Sequence, residues 1–200
     1  MNVPVGQPWD TVGVDIMGPM EATKNGNRYI LVFMDYMTKW PEVIALKNIG
    51  SKDVATAFIN EVVCRHGVPK KLISDRGGNF MSDLMAQVLH LTGTVKLNTT
   101  SYHPQTDGLV ERFNKTLMDM LSMYTNKNKT DWDEHIPYVV FAYRSSIQES
   151  AQKDPFFLTY GRTANFPLTA EVETVGAVPS NEKYAEKVLG RLAEAREEAR

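Results

Sequence analysis

The hydrophobic pattern of this 200-residue chain changes period near residue 50, and that change constrains the fold more than any other feature. Before it, three short runs are rich in β-branched and apolar residues, and the second run is apolar on both faces, as a central strand is. After it, strand-like runs alternate with segments whose apolar residues recur every three or four positions, as in helices. Strands are predicted at residues 11–17, 28–35, 42–46, 71–74 and 95–98.

This order of elements predicts an α/β domain with a mixed five-stranded sheet flanked by helices. The turn-like residues 24–27 favour a hairpin, so the first three strands are expected to form an antiparallel meander, and the later strands to join through crossover helices. Ser51, Ser82, Asp107 and Asp131 are predicted N-caps of helices. Two further helices are predicted, at residues 154–161 and 181–200.

Composition excludes several classes of protein. No apolar run approaches the ~20 residues that span a bilayer, and no secretory signal is visible at the start. The single cysteine, Cys64, excludes an internal disulfide framework, and the spacing of the four histidines does not suit a zinc finger. A net charge of −2 does not exclude nucleic acid as a partner, because phosphates respond to local patches and to bound cations.

Three acidic residues occupy positions where carboxylates can carry chemistry. Asp15 interrupts an apolar strand, Asp75 follows the fourth strand, and Glu111 lies in the first turn of the most amphipathic helix. Each also has an ordinary structural explanation: a strand-end side chain turned to solvent, an Asp-containing turn, and a favourable interaction with the helix dipole.

Taken together, the three acids indicate a metal site. Their elements can converge at one edge of a mixed sheet, where three carboxylates repel one another unless cations stabilise them. Mg²⁺ prefers such oxygen ligands together with phosphate oxygens. Two Mg²⁺ ions would leave a net charge of about +1, which attracts a phosphodiester.

The short sequence motifs around these acids resemble those of a known family. They are Val12-Gly13-Val14-Asp15, Ser74-Asp75-Arg76-Gly77 and Tyr102-His103-Pro104-Gln105-Thr106-Asp107-Gly108-Leu109-Val110-Glu111, with 35 residues between Asp75 and Glu111. From about Pro8 to about Pro167 the chain is similar to the catalytic core of retroviral-type integrases, in particular those of gypsy-type long-terminal-repeat retrotransposons. We therefore expect an integrase core at residues 1–167 and a linker with a charged helix at 168–200.

The resemblance implies an RNase H-like fold and a role in DNA integration. It implies that the enzyme trims the 3′ ends of retroelement DNA and then transfers them into target DNA. Asp15, Asp75 and Glu111 match the catalytic residues, which in the family are also the metal ligands. The implied cofactor is a pair of Mg²⁺ ions, with Mn²⁺ able to substitute.

The resemblance also implies DNA contacts. Tyr102, His103 and Gln105 match the loop that approaches the DNA end, and Asn114 and Lys115 match the helix face near the scissile phosphate. A tyrosine in such a loop can stack on an unpaired base, although it can equally pack against the domain. Lys115 suits a phosphate as a point charge, or it can pair with the acid one turn earlier.

The expected partners are retroelement DNA ends, target DNA, a second copy of the chain through helix 107–126 or 131–148, and a host chromatin factor. No membrane partner is expected, and the implied location is the nucleus, with a virus-like particle or the cytoplasm before integration. The zinc-binding and C-terminal domains usual in this family are not visible in the sequence, so weak activity is expected of the core alone. The alternative function is a non-catalytic DNA- or partner-binding module; a transposase or ribonuclease of the same fold is an enzymatic alternative.

Overall fold

A five-stranded mixed sheet forms the centre of the molecule, in a computed structural model that describes residues 6–75, 77–78, 80–98, 104–165 and 181–199. The strand order is β3-β2-β1-β4-β5. The strands are β1 (Thr11–Met17), β2 (Tyr29–Asp35), β3 (Pro41–Leu46), β4 (Lys71–Ser74) and β5 (Val95–Asn98). The first three pair antiparallel, whereas β4 pairs parallel with β1 and with β5, so the predicted meander and crossovers are confirmed.

The interior strand β2 shows why the sheet is covered on both faces. Leu31 and Phe33 pack into one apolar cluster, with the helical segments 51–63 and 83–92. The intervening residues Ile30, Val32 and Met34 pack into the other cluster, against the helices at 104–124 and 132–144. Because neighbouring side chains on a strand point to opposite faces, a strand that is apolar throughout needs helices on both sides.

The helices follow the predicted order. They are α1 (Ser51–Ala57), which continues through a π-helical segment (Phe58–Val63) into α2 (Cys64–His66), then α3 (Asp83–Thr92), α4 (Pro104–Tyr124), α5 (Trp132–Arg144), α6 (Pro155–Tyr160) and α7 (Asn181–Glu198). None of the helices in the described ranges is long and apolar enough to cross a membrane.

The predicted helix starts are confirmed only in part. Ser82 is the N-cap of α3, where its side chain accepts a hydrogen bond from a backbone N–H at 3.2 Å. The N-cap of α1 is Gly50, so the prediction for Ser51 was wrong by one residue. Asp131 is the N-cap of α5, but its carboxylate accepts from the backbone N–H of Asn126 at 3.0 Å instead of from the helix.

The start of α4 differs more from the prediction. The helix begins at Pro104, so Asp107 lies inside its first turns and is not the N-cap. Proline is well tolerated in a first helical turn, because its missing N–H needs no partner there. The helix therefore extends into the segment that the sequence had assigned to a loop.

The C-terminal helix α7 packs against α6 within the described residues. Leu158 of α6 and Ala195 of α7 are buried with Met37, which follows β2. Arg196 also donates to the backbone carbonyl of Leu158 at 3.0 Å. Residues 168–180, where the linker is predicted, lie outside the described residues.

A buried carboxylate ties β3 to two helices. Glu42 on β3 is 3% exposed. It is bonded to Arg144 at 2.7 Å, His66 at 2.7 Å, Trp40 at 3.0 Å and Arg65 at 3.2 Å. Burial favours the protonated carboxyl, but these partners outweigh burial and hold the pKa of Glu42 below its ordinary value. The network therefore fixes α2 and α5 against the sheet.

Candidate active site

Two of the three predicted acids are aligned by the sheet itself. The parallel strands β1 and β4 pair Thr11 with Lys71 and Gly13 with Ile73, a constant offset of sixty positions. Asp75 follows β4 directly, and it is also sixty positions after Asp15. The same offset, continued two residues beyond the observed pairs, would bring Asp75 level with Asp15, near the carboxyl end of β4, where α/β proteins bind ligands.

The helix that carries the third acid lies against the same strand. A Cβ added at Gly13 would lie 2.6 Å from a methyl group of Val110, which shows how closely α4 approaches β1. Further along, the Asn114 amide donates to Asp15 Oδ2 at 2.7 Å. Glu111 lies one turn before Asn114, on the same face of α4. The contacts at Gly13 and Asp15 thus bring the Glu111 turn of the helix to β1.

Asp15 and Asn114 form a fixed pair at the centre of this arrangement. Asp15 Oδ1 accepts the backbone N–H of Ile16 at 2.8 Å, while Oδ2 accepts the Asn114 amide. Asn114 is 8% exposed, and its Oδ1 is buried with no hydrogen-bond partner among the described residues. A buried carbonyl oxygen normally accepts a hydrogen bond, so this oxygen is free to accept one or to bind a cation.

Asp75 and Glu111 are exposed, in contrast to Asp15. Asp75 Oδ1 accepts the backbone N–H of Gly77 at 2.8 Å, which closes a tight turn after β4. Because α4 begins at Pro104, Glu111 lies about two turns into the helix, so its predicted place in the first turn was wrong. The helix dipole, which acts within the first turn, therefore contributes little to Glu111. Exposed carboxylates can change rotamer at little cost, so both remain adjustable.

A lysine that the sequence did not indicate lies near Asp75. Lys96 of β5 donates to the backbone carbonyl of Phe80 and contacts Met81 Sδ at 3.2 Å. Burial lowers the pKa of the Lys96 ammonium, and the nearby charge of Asp75 opposes that shift. No local signal could have identified Lys96, because its neighbours come from the loop that follows β4.

The donor chemistry of these residues fits a hard divalent cation. Asp15, Asp75 and Glu111 supply carboxylate oxygens, and the unpartnered Asn114 oxygen lies beside Asp15. Within the described ranges, however, no three acidic, histidine or cysteine side chains stand together in a form that could hold a metal. The backbone brings the three acids to one region, while their side chains do not form a closed ligand set.

The predicted DNA contacts have different outcomes. Tyr102 and His103 lie outside the described residues, and Gln105 is described only as part of the helical backbone of α4. Lys115 is exposed on α4, as a phosphate contact requires. Asn114 is buried and holds Asp15, so in this structure it positions the carboxylate and does not face solvent.

Solved structures with the same architecture identify the fold. The catalytic core domain of HTLV-2 integrase, solved in complex with magnesium, matches 75% of this chain and 95% of its own with a TM-score of 0.61 and 18% identity. The intasome of simian T-cell lymphotropic virus, in complex with a PP2A regulatory subunit, matches 88% of this chain and 61% of its own with a TM-score of 0.67 and 18% identity. The predicted RNase H-like fold is thereby confirmed.

The sequence comparisons give the family. Residues 7–104 match the family described as integrase core domain. The Pol polyprotein of transposon 412 from Drosophila melanogaster is 28% identical over 193 residues, which are 96% of this chain and 16% of that protein. Gypsy retrotransposon integrase-like protein 1 of Bos taurus is 28% identical over 191 residues, which are 96% of this chain and 38% of that protein. Over residues 7–104 the chain matches the integrase core domain, which confirms the resemblance seen in the sequence. The chain spans well under half the length of these two relatives.

Proposed function

We propose that the chain is the catalytic core of a metal-dependent polynucleotidyl transferase, which trims retroelement DNA ends and transfers the strands into target DNA. The family match associates it with DNA integration in general. The observation that supports catalysis most strongly is the pairing of β1, which carries Asp15, with β4, which Asp75 follows, together with the hydrogen bond that holds α4 on Asp15 through Asn114. An arrangement that collects acidic residues from β1, β4 and α4 at one edge suits a site for cations and phosphate.

In this proposal Asp15, Asp75 and Glu111 are the catalytic residues and would hold two Mg²⁺ ions, or Mn²⁺ in their place. The bound ions would supply charge stabilisation for an in-line displacement at phosphorus. Asn114 keeps Asp15 in one orientation, so that one ligand is preorganised. The exposed carboxylates of Asp75 and Glu111 would turn towards the cations, because neither is buried by its neighbours.

Lys115 is the proposed phosphate contact on the exposed side of α4, and Tyr102, His103 and Gln105 remain proposed contacts to the DNA end. The proposed partners are retroelement DNA ends and target DNA, with a second copy of the chain and a host chromatin factor. A similar integrase core has been solved in trimeric and dimeric forms, which supports an oligomer. The proposed site of action is the nucleus.

The test replaces Glu111 with glutamine, which has the same shape but no charge. Strand transfer or disintegration of labelled DNA, assayed with Mg²⁺, should fall roughly 100-fold or more in Glu111→Gln, because a charged group at the reacting centre is lost. Asp119→Asn is the matched control, since Asp119 is an exposed acid further along the same helix. Full activity of Glu111→Gln, or of the unaltered chain in excess chelator, would contradict the proposal.

A non-catalytic DNA- or partner-binding module is the second candidate. The observation in its favour is that both oxygens of Asp15 already accept hydrogen bonds, from Ile16 and from Asn114. Under this alternative the unaltered chain binds DNA but shows no metal-dependent strand transfer, and Glu111→Gln changes neither property. Measuring binding and transfer on the same DNA therefore separates the two functions.

A further inference from the structure

A second polar cleft lies on the other flank of α4, away from Asp15. Its volume is about 480 Å³, and it is enclosed by α4, α5, the turn between β2 and β3, and the segment after α5. Lys39 from the turn and Arg112 from α4 both line it. Arg112 follows Glu111 directly in the helix, so the cleft and the candidate active site lie on adjacent sides of the same helical turn.

Lys39 is held in place before any ligand arrives. Its backbone lies in the left-handed region, with a φ of 60°, and its ammonium donates to the carbonyl oxygen of Tyr36 at 2.5 Å. Burial lowers the pKa of Lys39; the charge of Asp35 opposes this shift, and the nearby Arg112 guanidinium adds to it. Two cations therefore lie close enough to repel each other.

The repulsion between these cations is not relieved by a direct partner in the part of the chain that the structure describes. Neither Lys39 nor Arg112 forms an ion pair with a carboxylate there. The one acidic side chain lining the cleft is Glu149, which is exposed. An anion that entered the cleft would lower the electrostatic energy of both cations.

A neutral donor completes the lining. Burial raises the pKa of Tyr143 to about 12, so its hydroxyl stays protonated at physiological pH. The ring of Tyr143 meets that of Phe113 edge to face, at 4.7 Å between centroids, which fixes its position. Ser150 adds a second hydroxyl to the cleft wall. Charged and neutral donors together suit a tetrahedral oxyanion.

We propose that this cleft binds a phosphate of the DNA backbone through Lys39 and Arg112. The inference rests on the proposed function, because it assigns the cleft to the same DNA that reaches Glu111. DNA is favoured over an acidic peptide, since a strand crossing the exposed side of α4 meets Lys115 and Arg112 within one helical turn. The cleft thereby extends the DNA footprint to the far side of the catalytic helix.

The test measures DNA binding directly, by fluorescence anisotropy of a labelled duplex over a range of salt concentrations. Arg112→Gln and Lys39→Asn each remove one cation, and asparagine tolerates the left-handed backbone at position 39. Each single variant should bind DNA roughly tenfold more weakly. In the double variant, the slope of log affinity against log salt concentration should become shallower by about 0.9, which is the value for one phosphate contact. Arg112→Lys keeps the charge and should keep most of the affinity.

Matched controls separate this loss from general effects of charge or folding. Arg191→Gln removes an exposed helical arginine on α7, and Lys129→Asn removes an exposed lysine whose φ is 53°. Both should bind DNA as the unaltered chain does. Melting temperatures identify any variant that fails to fold, and because Arg112 is exposed, Arg112→Gln keeps the test valid if Lys39→Asn unfolds.

Further outcomes decide what the cleft binds. The DNA affinity of the double variant is compared on an open duplex and on a duplex closed by hairpins at both ends. An equal loss of affinity on both assigns the cleft to internal DNA backbone. A loss of affinity on the open duplex alone assigns the cleft to a DNA end. An unchanged DNA affinity and salt slope in the double variant would overturn the inference. A larger loss of polyglutamate binding than of DNA binding would overturn it as well. If strand transfer is absent in the unaltered chain but the binding loss persists, the proposed function fails and the phosphate site stands.

Discussion

The contact between Gly13 and α4 yields the sharpest test of how the fold positions the site. A Cβ at Gly13 would lie 2.6 Å from Val110 Cγ2 and 3.0 Å from the ring of Tyr36. Val110 is 4% exposed, and a β-branched side chain in a helix has one strongly preferred rotamer, so it cannot turn away. In Gly13→Ala the helix itself must therefore shift.

The expected free energies follow from packing. Overpacking a core destabilises by about 1–3 kcal/mol, and the entropy gained by removing a glycine offsets about 0.4–1 kcal/mol. Gly13→Ala should thus lower the free energy of unfolding by about 1–2 kcal/mol. Val110→Ala removes two methyl groups and should cost about 2 kcal/mol. The double variant should cost about 2 kcal/mol or less, because the alanine methyl at position 13 fills the space vacated at 110.

Urea unfolding of the four proteins measures this coupling, with equal m-values as the check that unfolding remains two-state. Gly190→Ala is the control, since nothing lies within 4 Å of an added Cβ there, and it should stabilise α7 by about 0.5–1 kcal/mol. A double variant that lost the sum of the two single losses in free energy of unfolding, to within about 0.5 kcal/mol, would refute the reasoning. Across these variants the rate of strand transfer should fall as the free energy of unfolding falls, because α4 carries both Glu111 and Asn114.

Three further predictions concern other contacts. Asn114→Ala should lower strand transfer about tenfold and the free energy of unfolding by about 1–2 kcal/mol, because a buried hydrogen bond to a carboxylate is lost; an unchanged rate would contradict its positioning role. Glu42→Gln should cost about 3 kcal/mol at neutral pH by leaving Arg144 unpaired. Since folding lowers the pKa of Glu42 from 4.5, the stability it contributes is present above that pH and is lost as the pH falls through the folded value, so pH-dependent unfolding should flatten in this variant. Ser82→Ala should lower the free energy of unfolding by about 1 kcal/mol through loss of the α3 cap, measured by urea unfolding; no change would show that the cap is not needed.

The order and type of the elements could be predicted from the sequence because their signals are local. The apolar run at residues 28–35 becomes the interior strand β2, and Gly93 ends α3 in the left-handed conformation. The start of α4 could not be predicted, because a polar segment with Pro104 suits either a loop or a first helical turn. The catalytic roles of Asp15, Asp75 and Glu111 remain predictions of sequence resemblance.

By itself, then, the sequence determined the strands, the helices and the spacing of the three acids, since these depend on neighbouring residues and on hydrophobic period. Only the tertiary structure decided that β1, which carries Asp15, pairs with β4, which Asp75 follows, that Asn114 holds Asp15, and that Lys39 and Arg112 line one cleft. Each of these pairs joins residues at least sixty positions apart. Contacts at that separation depend on strand pairing and helix packing, which no local propensity specifies.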